Sequence, residues 1–144
     1  MSLGNVFDIA GSAMSAQTVR LNTAASNLAN SESVSSSAGE TYRARKPVFE
    51  LKPTDNLQPG GLPMGVQAGQ GVAISGIVES DAPLRQEYNP DHPMADENGY
   101  VYYPNVNVVE EMADMISASR SFQINAEIMN TAKQMMQKAL TLGK

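Results

Sequence analysis

Hydrophobic residues in the last third of the chain recur at alternating steps of three and four positions. Between Pro104 and Gly143 no proline or glycine interrupts the sequence, so a single helix can run through it. Asn107 is a favourable N-cap, and Glu110 follows three positions later, where it can reach back to the cap. The pattern predicts one helix from Asn107 to about Leu142, roughly 50 Å long at 1.5 Å per residue. Its apolar row comprises Val108, Met112, Met115, Phe122, Met129, Met136 and Leu140, and the same row includes Ser119, Ala126 and Lys133.

A second row of the same spacing lies near the start of the chain. Its members are Phe7, Ala10, Met14, Gln17, Leu21, Ala24 and Leu28. This row predicts a helix from about Asn5 to Asn30, interrupted only by Gly11. Two interpretations fit the spacing: the terminal helices pair with each other as an antiparallel coiled coil, or they are ordinary amphipathic helices of a small bundle. The spacing alone does not decide between them.

The stretch after the first helix has the composition of loops and short strands. Residues 31–41 are rich in serine and predict a loop. Residues 42–51 predict an extended, strand-like segment, in which Pro47 favours the edge of a sheet. Residues 52–71 contain many turn formers and predict a long loop or hairpin tip, and a β-rich run follows over residues 72–78. Two or three strands in a small hairpin or sheet are therefore expected.

The segment from Pro83 to Pro104 combines four prolines with four tyrosines. It predicts an extended segment that lies on a surface, with a turn at Asn98-Gly99. The predicted fold class is thus mainly α with a small β insertion: long N- and C-terminal helices paired as an antiparallel coiled coil, and a β-hairpin or extended middle segment. The expected regions are an N-terminal coiled-coil helix over 1–30, a loop-rich middle with short strands over 31–104, and a C-terminal coiled-coil helix over 105–144.

Composition excludes several classes of protein. The 144 residues carry a formal net charge of −5 without an evident basic face, which argues against nucleic acid as a partner. There is no cysteine, hence no disulfide framework and no thiolate metal site. No apolar run approaches the ~20 residues that cross a bilayer. The start of the chain lacks the basic and apolar regions of a secretory signal peptide, so we expect no cleaved signal and no transmembrane segment.

Charge is distributed unevenly along the chain. Between residues 81 and 114 there are eight acidic residues and one basic residue, whereas between residues 43 and 52 there are four basic residues and one acidic residue. Such segments commonly form solvated surface, and they could also set the register between copies of the chain.

The sequence offers little chemistry for a catalyst. His92 is the single histidine, and the neighbouring Asp91 and Asp96 suggest a metal only weakly, because one histidine in a turn beside Pro93 is usually a loop residue. No nucleophile elbow is present, and the glycines do not form a phosphate-binding loop. We therefore expect no catalytic residues, no metal, no cofactor and no small-molecule substrate.

Two stretches resemble the signatures of bacterial flagellar rod and hook proteins. The first is Ala16-Gln17, Arg20-Leu21-Asn22 and Ala25-Ser26-Asn27-Leu28-Ala29-Asn30. The second is Asn98-Gly99-Tyr100, Tyr103-Pro104-Asn105-Val106-Asn107-Val108-Val109-Glu110-Glu111-Met112 and Ser119-Arg120-Ser121-Phe122-Gln123. Together they cover about half of the chain, and their residues are most similar to those of the proximal-rod members of the family. The Ser-rich loop from Ser31 to Glu40 is longer than the short turn found in many relatives.

The resemblance implies a structural subunit of the flagellar basal-body rod. Such proteins pack their terminal helices into the inner tube of a hollow helical shaft that transmits torque and encloses the export channel, and their middle segments face outward. They are exported unfolded through the flagellar type III apparatus. The implied partners are copies of this chain, paralogous proximal and distal rod proteins, and the export apparatus. The implied location is the periplasmic rod of the basal body.

The apolar rows of the two helices are the candidate assembly residues. Small and flexible side chains dominate both terminal segments, and they bury little area per residue. We therefore expect the termini to become ordered only when several copies pack side by side. The alternatives are a monomeric adaptor that links the export apparatus or another rod protein to the rod, and a secreted enzyme acting on the cell wall. The second would need an acid pair in a cleft, which the sequence does not indicate.

Overall fold

The two terminal helices are the longest elements of the protein. The computed structural model describes residues 3–52 and 71–143. Helix α1 spans Leu3–Ala29 and helix α2 spans Val108–Leu142. Asn107 caps α2 as predicted, since its side chain accepts a hydrogen bond from the backbone N–H of Val109 at 3.1 Å. The prediction of a mainly helical fold with long helices at both ends is confirmed.

The middle region folds into two antiparallel hairpins. Strand β1 (Arg45–Leu51) pairs with β2 (Val72–Glu79), close to the predicted positions. Strand β3 (Arg85–Tyr88) pairs with β4 (Tyr100–Tyr103). The described residues thus contain four strands, where two or three were predicted. The expectation of an extended, unpaired segment between Pro83 and Pro104 was wrong because β3 and β4 pair there, whereas the turn predicted at Asn98-Gly99 is confirmed.

Asp96 and Gly99 account for the second hairpin. One carboxylate oxygen of Asp96 accepts hydrogen bonds from the backbone N–H groups of Asn98 and Tyr100, both at 2.8 Å. Gly99 has a φ of 82°, a conformation that side chains disfavour. A Cβ at this position would lie 2.9 Å from the ring of Tyr88. The turn therefore depends on a glycine and an acid in this order, and the surrounding prolines do not prevent strand pairing on either side.

Helices α1 and α2 pack along each other through small side chains. Arg20 of α1 contacts Asp114 of α2, and Asn27 of α1 bonds to Glu111 of α2. Since the position along α1 falls from 27 to 20 while that along α2 rises from 111 to 114, the helices run in opposite directions. The buried alanines of the two helices are Ala10, Ala16, Ala24, Ala118 and Ala132. Alanines allow close approach of two helices but bury little area each, so this seam is thin.

The first hairpin lies along α1 and is attached at both of its ends. Near the end of α1, the buried Asn27 binds the backbone N–H and C=O of Arg45, at 2.9 and 2.8 Å. Near its start, the hydroxyl of Ser12 accepts the backbone N–H of Val72 at 3.1 Å. The 15 residues from Ser12 to Asn27 span about 22 Å of helix, and the six steps from Arg45 to Leu51, which pairs with Val72, span about 20 Å of strand. The two attachment points therefore match in spacing.

One predicted loop lies almost entirely outside the described residues. The predicted loop or hairpin tip at 52–71 falls, apart from its two end residues, outside the described residues. Within residues 3–52 and 71–143, no helix is both long enough and apolar enough to cross a membrane.

The Asn27 attachment gives a direct test of how the hairpin is held. Replacing the fully buried Asn27 by alanine leaves the part-buried N–H and C=O of Arg45 without their partner, and each such loss costs about 1–3 kcal/mol when the group is shielded from water. We expect Asn27→Ala to lower the free energy of unfolding by about 2 kcal/mol or more, measured by urea denaturation. Asn22→Ala, at an exposed position of the same helix, is the control and should change it by less than about 0.5 kcal/mol. Equal effects of the two substitutions would contradict the attachment.

Candidate assembly surface

An ion pair joins the two helices near the start of α2. The Nη2 atom of Arg20 lies 2.6 Å from the Oδ1 atom of Asp114. Both side chains are about one-third exposed, so solvent weakens the attraction between the charges. The pair therefore contributes chiefly to the register of α1 against α2.

Glu111 is a buried acid next to this ion pair. It is only 4% exposed, although it lies in the first turns of a long surface helix. Burial raises the pKa of its carboxyl group, and the nearby Asp114 and Glu110 act in the same direction. A hydrogen bond from Asn27 and the charge of Lys46 oppose the rise. Since burial is the largest of these influences, the net effect of the fold is to raise the pKa of Glu111.

A cleft opens where α1, α2 and β1 meet. Its volume is about 330 Å³. One wall carries aliphatic and aromatic carbon, from Thr23, Ala24, Pro47 and Phe49. The charged groups around it are Arg20, Arg45, Lys46, Glu111 and Asp114. The cleft thus combines an apolar wall with three cations and two acids.

Helix α2 carries apolar side chains on the face that points away from α1. Val109 is 74% exposed and Ile116 is 70% exposed, and Met112 between them is also exposed. Ile116 and the fully buried Ala118 are two residues apart, which places them about 200° apart around the helix axis. A helix that is apolar on opposite faces is typical of one that is buried on all sides.

The end of α2 lacks contacts that would bury it. Every residue from 133 to 142 is exposed in the single chain. Four of these residues are large and apolar: Met135, Met136, Leu140 and Leu142. A contiguous apolar surface of this kind usually marks an interaction site.

The predicted assembly residues differ in how far the structure buries them. Ala10 is buried between the helices. Half-buried positions are Phe7, Met14, Gln17, Leu21, Leu28, Val108, Met115 and Met129. Exposed positions are Met112, Phe122, Met136 and Leu140. The larger apolar members of the predicted rows therefore lie at or outside the rim of the α1–α2 seam.

On α2 the centre of the seam lies outside the predicted apolar row, whereas the row predicted for α1 already includes the buried Ala10 and Ala24. The positions that α2 turns toward α1 follow a seven-residue repeat of small or polar residues: Glu111, Ala118, Asn125 and Ala132. This repeat is visible in the sequence, but a search for large apolar side chains passes over it. Gln17 is the polar member of the α1 row, and its Oε1 atom is buried without a hydrogen-bond partner among the described residues.

His92 contributes to the turn between β3 and β4. Its Nδ1 atom accepts a hydrogen bond from the backbone N–H of Met94 at 3.0 Å. Across residues 3–52 and 71–143, no group of three or more histidine, aspartate or glutamate side chains is placed to hold a metal ion.

Comparisons with known proteins match the segments that contain α1 and α2 to flagellar rod proteins. Residues 7–34 match the family model "Flagella basal body rod protein", and residues 97–142 match "Flagellar basal body rod FlgEFG protein C-terminal". The chain is 51% identical over 144 residues to the flagellar basal-body rod protein FlgC of Salmonella typhimurium, and 49% identical to that of Yersinia enterocolitica. Both alignments cover 100% of each chain. FlgC of Buchnera aphidicola from Acyrthosiphon pisum is 42% identical over 146 residues, again over all of both chains.

The raised pKa of Glu111 predicts the pH dependence of stability. A carboxyl group whose pKa is raised by folding stabilises the fold below its unfolded pKa, and this contribution is lost as the pH rises through the folded pKa. We therefore expect Glu111→Gln, which stays neutral, to melt at a higher temperature than the unmodified chain at neutral pH. The difference should shrink on acidification to about pH 4.

The control for this comparison is Glu110→Gln. Its side chain is exposed, and the substitution removes the same charge from the same turn of α2. A melting temperature of Glu111→Gln that is lower than that of the control at neutral pH would contradict the assignment.

Proposed function

The chain belongs to the FlgC family of flagellar basal-body rod proteins, and we propose that its terminal helices build the rod by packing against neighbouring subunits. It is a structural subunit of the proximal rod and serves motility, not catalysis. The observation that carries the proposal is the apolar surface that α2 turns away from α1.

Burial of this surface by neighbours is the driving force that we assign to assembly. Val109, Met112 and Ile116 leave half or more of their surface in water in the single chain. Covering such a side chain stabilises an assembly by about 1.5–3 kcal/mol relative to leaving it in water. The exposed end of α2 extends the same surface over its last ten residues. Neighbouring subunits on more than one side of α2 would cover both its outer face and its exposed end.

The rows predicted from the sequence then divide into two roles. The half-buried members, such as Leu21 and Met115, border the α1–α2 seam, which we propose is an antiparallel coiled coil. The exposed members, Phe122, Met136 and Leu140, are proposed contacts between subunits. Those neighbours are copies of this chain and paralogous proteins of the proximal and distal rod, arranged as a hollow helical shaft. Regions 1–30 and 105–144 form its wall in this proposal, and region 31–104 faces outward.

Export through the flagellar type III apparatus is part of the same proposal. A chain that passes through a narrow channel has to unfold first, and a seam of alanines resists unfolding less than one of large side chains. The absence of cysteine fits as well, because no disulfide can lock a folded form before export. Assembly would then supply the stability that the single chain lacks.

The monomeric adaptor remains a second candidate, and one observation favours it. The Arg20–Asp114 ion pair and the bonds of Asn27 connect α1, α2 and β1 within one chain. These contacts are those of a domain with a defined fold of its own. An adaptor would use the exposed face of α2 for a single contact and would not need the end of the helix.

A charge placed on the outer face of α2 separates assembly from folding. Ile116→Asp replaces an exposed side chain, so the fold of the single chain should persist, while a charge without a partner would be buried in the rod. We expect cells that depend on this variant to lose swimming and to lack complete rods. Phe122→Asp should act in the same way. Ile116→Leu keeps an apolar side chain of the same size and is expected to swim.

One further measurement accompanies the swimming assay. Circular dichroism of the purified variants should match that of the unmodified chain, which assigns the defect to assembly. Normal swimming with Ile116→Asp and Phe122→Asp would overturn the proposed packing. Loss of swimming with Leu140→Asp would in addition weigh against the adaptor, because only continuous packing requires the end of α2.

A further inference from the structure

Two open surfaces of the described chain are complementary in chemical character. One is the cleft between α1, α2 and β1, and the other is an exposed tyrosine on the β3–β4 hairpin, which we call the tyrosine knob. The knob consists of Tyr88 with the turn residues Asp91 and Glu97. In the single chain Tyr88 is exposed, and no residue of the knob lines the cleft.

The knob is held in a fixed position by its own hairpin. Tyr88 is 64% exposed, which is unusual for a tyrosine with well-defined neighbours. Its ring meets the ring of Tyr100 edge to face, with centroids 5.4 Å apart. The glycine at 99 leaves room for the ring, since a Cβ there would lie 2.9 Å from it. A projecting aromatic side chain that is already ordered loses little freedom when it binds.

The charges around the knob are unpaired. Asp91 and Glu97 are exposed, and among the described residues neither takes part in an ion pair. The rim of the cleft is complementary, because Lys46 is exposed and forms no ion pair within the described residues. The guanidinium group of Arg45 is on the same rim and is half-exposed, but it already pairs with Glu79 of β2 at 3.1 Å.

The interior of the cleft suits a tyrosine. Pro47, Phe49 and Ala24 offer carbon surface to an aromatic ring. Glu111 is almost fully buried at the cleft and its carboxylate can accept a hydrogen bond from a phenol. An aromatic ring with a polar tip, flanked by acids, therefore matches the wall, the buried acid and the basic rim together.

We propose that the tyrosine knob of one copy docks into the cleft of a second copy of this chain. This inference rests on the proposed function, since it presumes that copies meet in an assembly. The contact joins two different surfaces, so it is a head-to-tail contact that continues from copy to copy. Tyr88 is the anchor, and the acids of the turn pair with Lys46 at the rim. The docking of the knob is a second contact between subunits, outside the packed terminal helices. It sets the register of neighbouring subunits.

Cysteine cross-linking tests the contact directly, because the chain has no cysteine of its own. Two full-length variants, Lys46→Cys and Asp91→Cys, are expressed together in cells that depend on the chain for swimming. Oxidation of isolated basal bodies should give a disulfide-linked dimer of this chain only when both variants are present. Glu32→Cys, an exposed acid at the end of α1, replaces Asp91→Cys in the control and should give none.

Adding Tyr88→Ala to the Asp91→Cys variant should lower the yield of the dimer by about 30-fold if Tyr88 is the anchor. Tyr88→Phe keeps the ring and should lower it less. Equal yields with the Glu32→Cys control, no dependence on Tyr88, or a cross-link from position 46 to a different rod protein would each overturn the proposal. If rods form and cells swim without the dimer, only this inference fails, whereas the absence of this chain from isolated rods would overturn the proposed function.

A charge-exchange experiment tests the same contact if the cysteine variants do not assemble. Lys46→Glu and Asp91→Lys each place like charges together across the proposed contact, and each should reduce swimming. The double variant restores opposite charges and should recover it. Recovery supports the contact, and a double variant that swims no better than the single ones overturns it.

Discussion

The close packing of α1 against α2 through alanines is the contact on which the rest of the structure depends. It allows two long helices to lie side by side within a short chain, and the Arg20–Asp114 pair fixes their register. The same choice of small residues limits how much apolar area the single chain can bury. Larger side chains are therefore displaced to the rim and to the outer face of α2. A thin seam and an apolar exterior are two consequences of one packing solution, and both favour a subunit that is completed by its neighbours.

Polar side chains attach the first hairpin to this helical pair. Asn27 serves both sides, because it is fully buried and bonds to β1 as well as to Glu111 of α2. Asn105 plays a similar part at the start of α2, where it accepts the N–H of Ala44 and donates to the carbonyls of Ser80 and Ala82. Directional bonds of this kind fix the orientation of a small hairpin that could not be held by burial alone. The cleft lies between this hairpin and the two helices.

The sequence allowed the helices to be predicted well and their packing face poorly. Proline, glycine and a capping asparagine mark the ends of α2, and these are local signals. Which face meets the partner helix is a tertiary property, and large apolar residues such as Phe122 indicated a face that the alanines override. The β3–β4 hairpin was missed because prolines suggested an open chain, whereas the carboxylate of Asp96 and the φ of Gly99 close the turn. Glu111 could not be recognised as buried without the fold, since two adjacent acids at a helix start usually lie in solvent. The rod function was predicted from resemblance, and the physical pattern alone indicated only paired helices that need neighbours.

The central claim is that neighbours, and not the single chain, cover the outer face and the end of α2. Hydrogen exchange measured by mass spectrometry on the purified chain and on isolated rods tests it most directly. We expect fast exchange over residues 133–142 in the free chain and strong protection of the same amides in rods. The amide of Arg45, held by Asn27, should exchange more slowly than that stretch in both states. Strong protection of residues 133–142 in the free chain, unchanged in rods, would contradict the claim and would indicate a self-sufficient helical bundle.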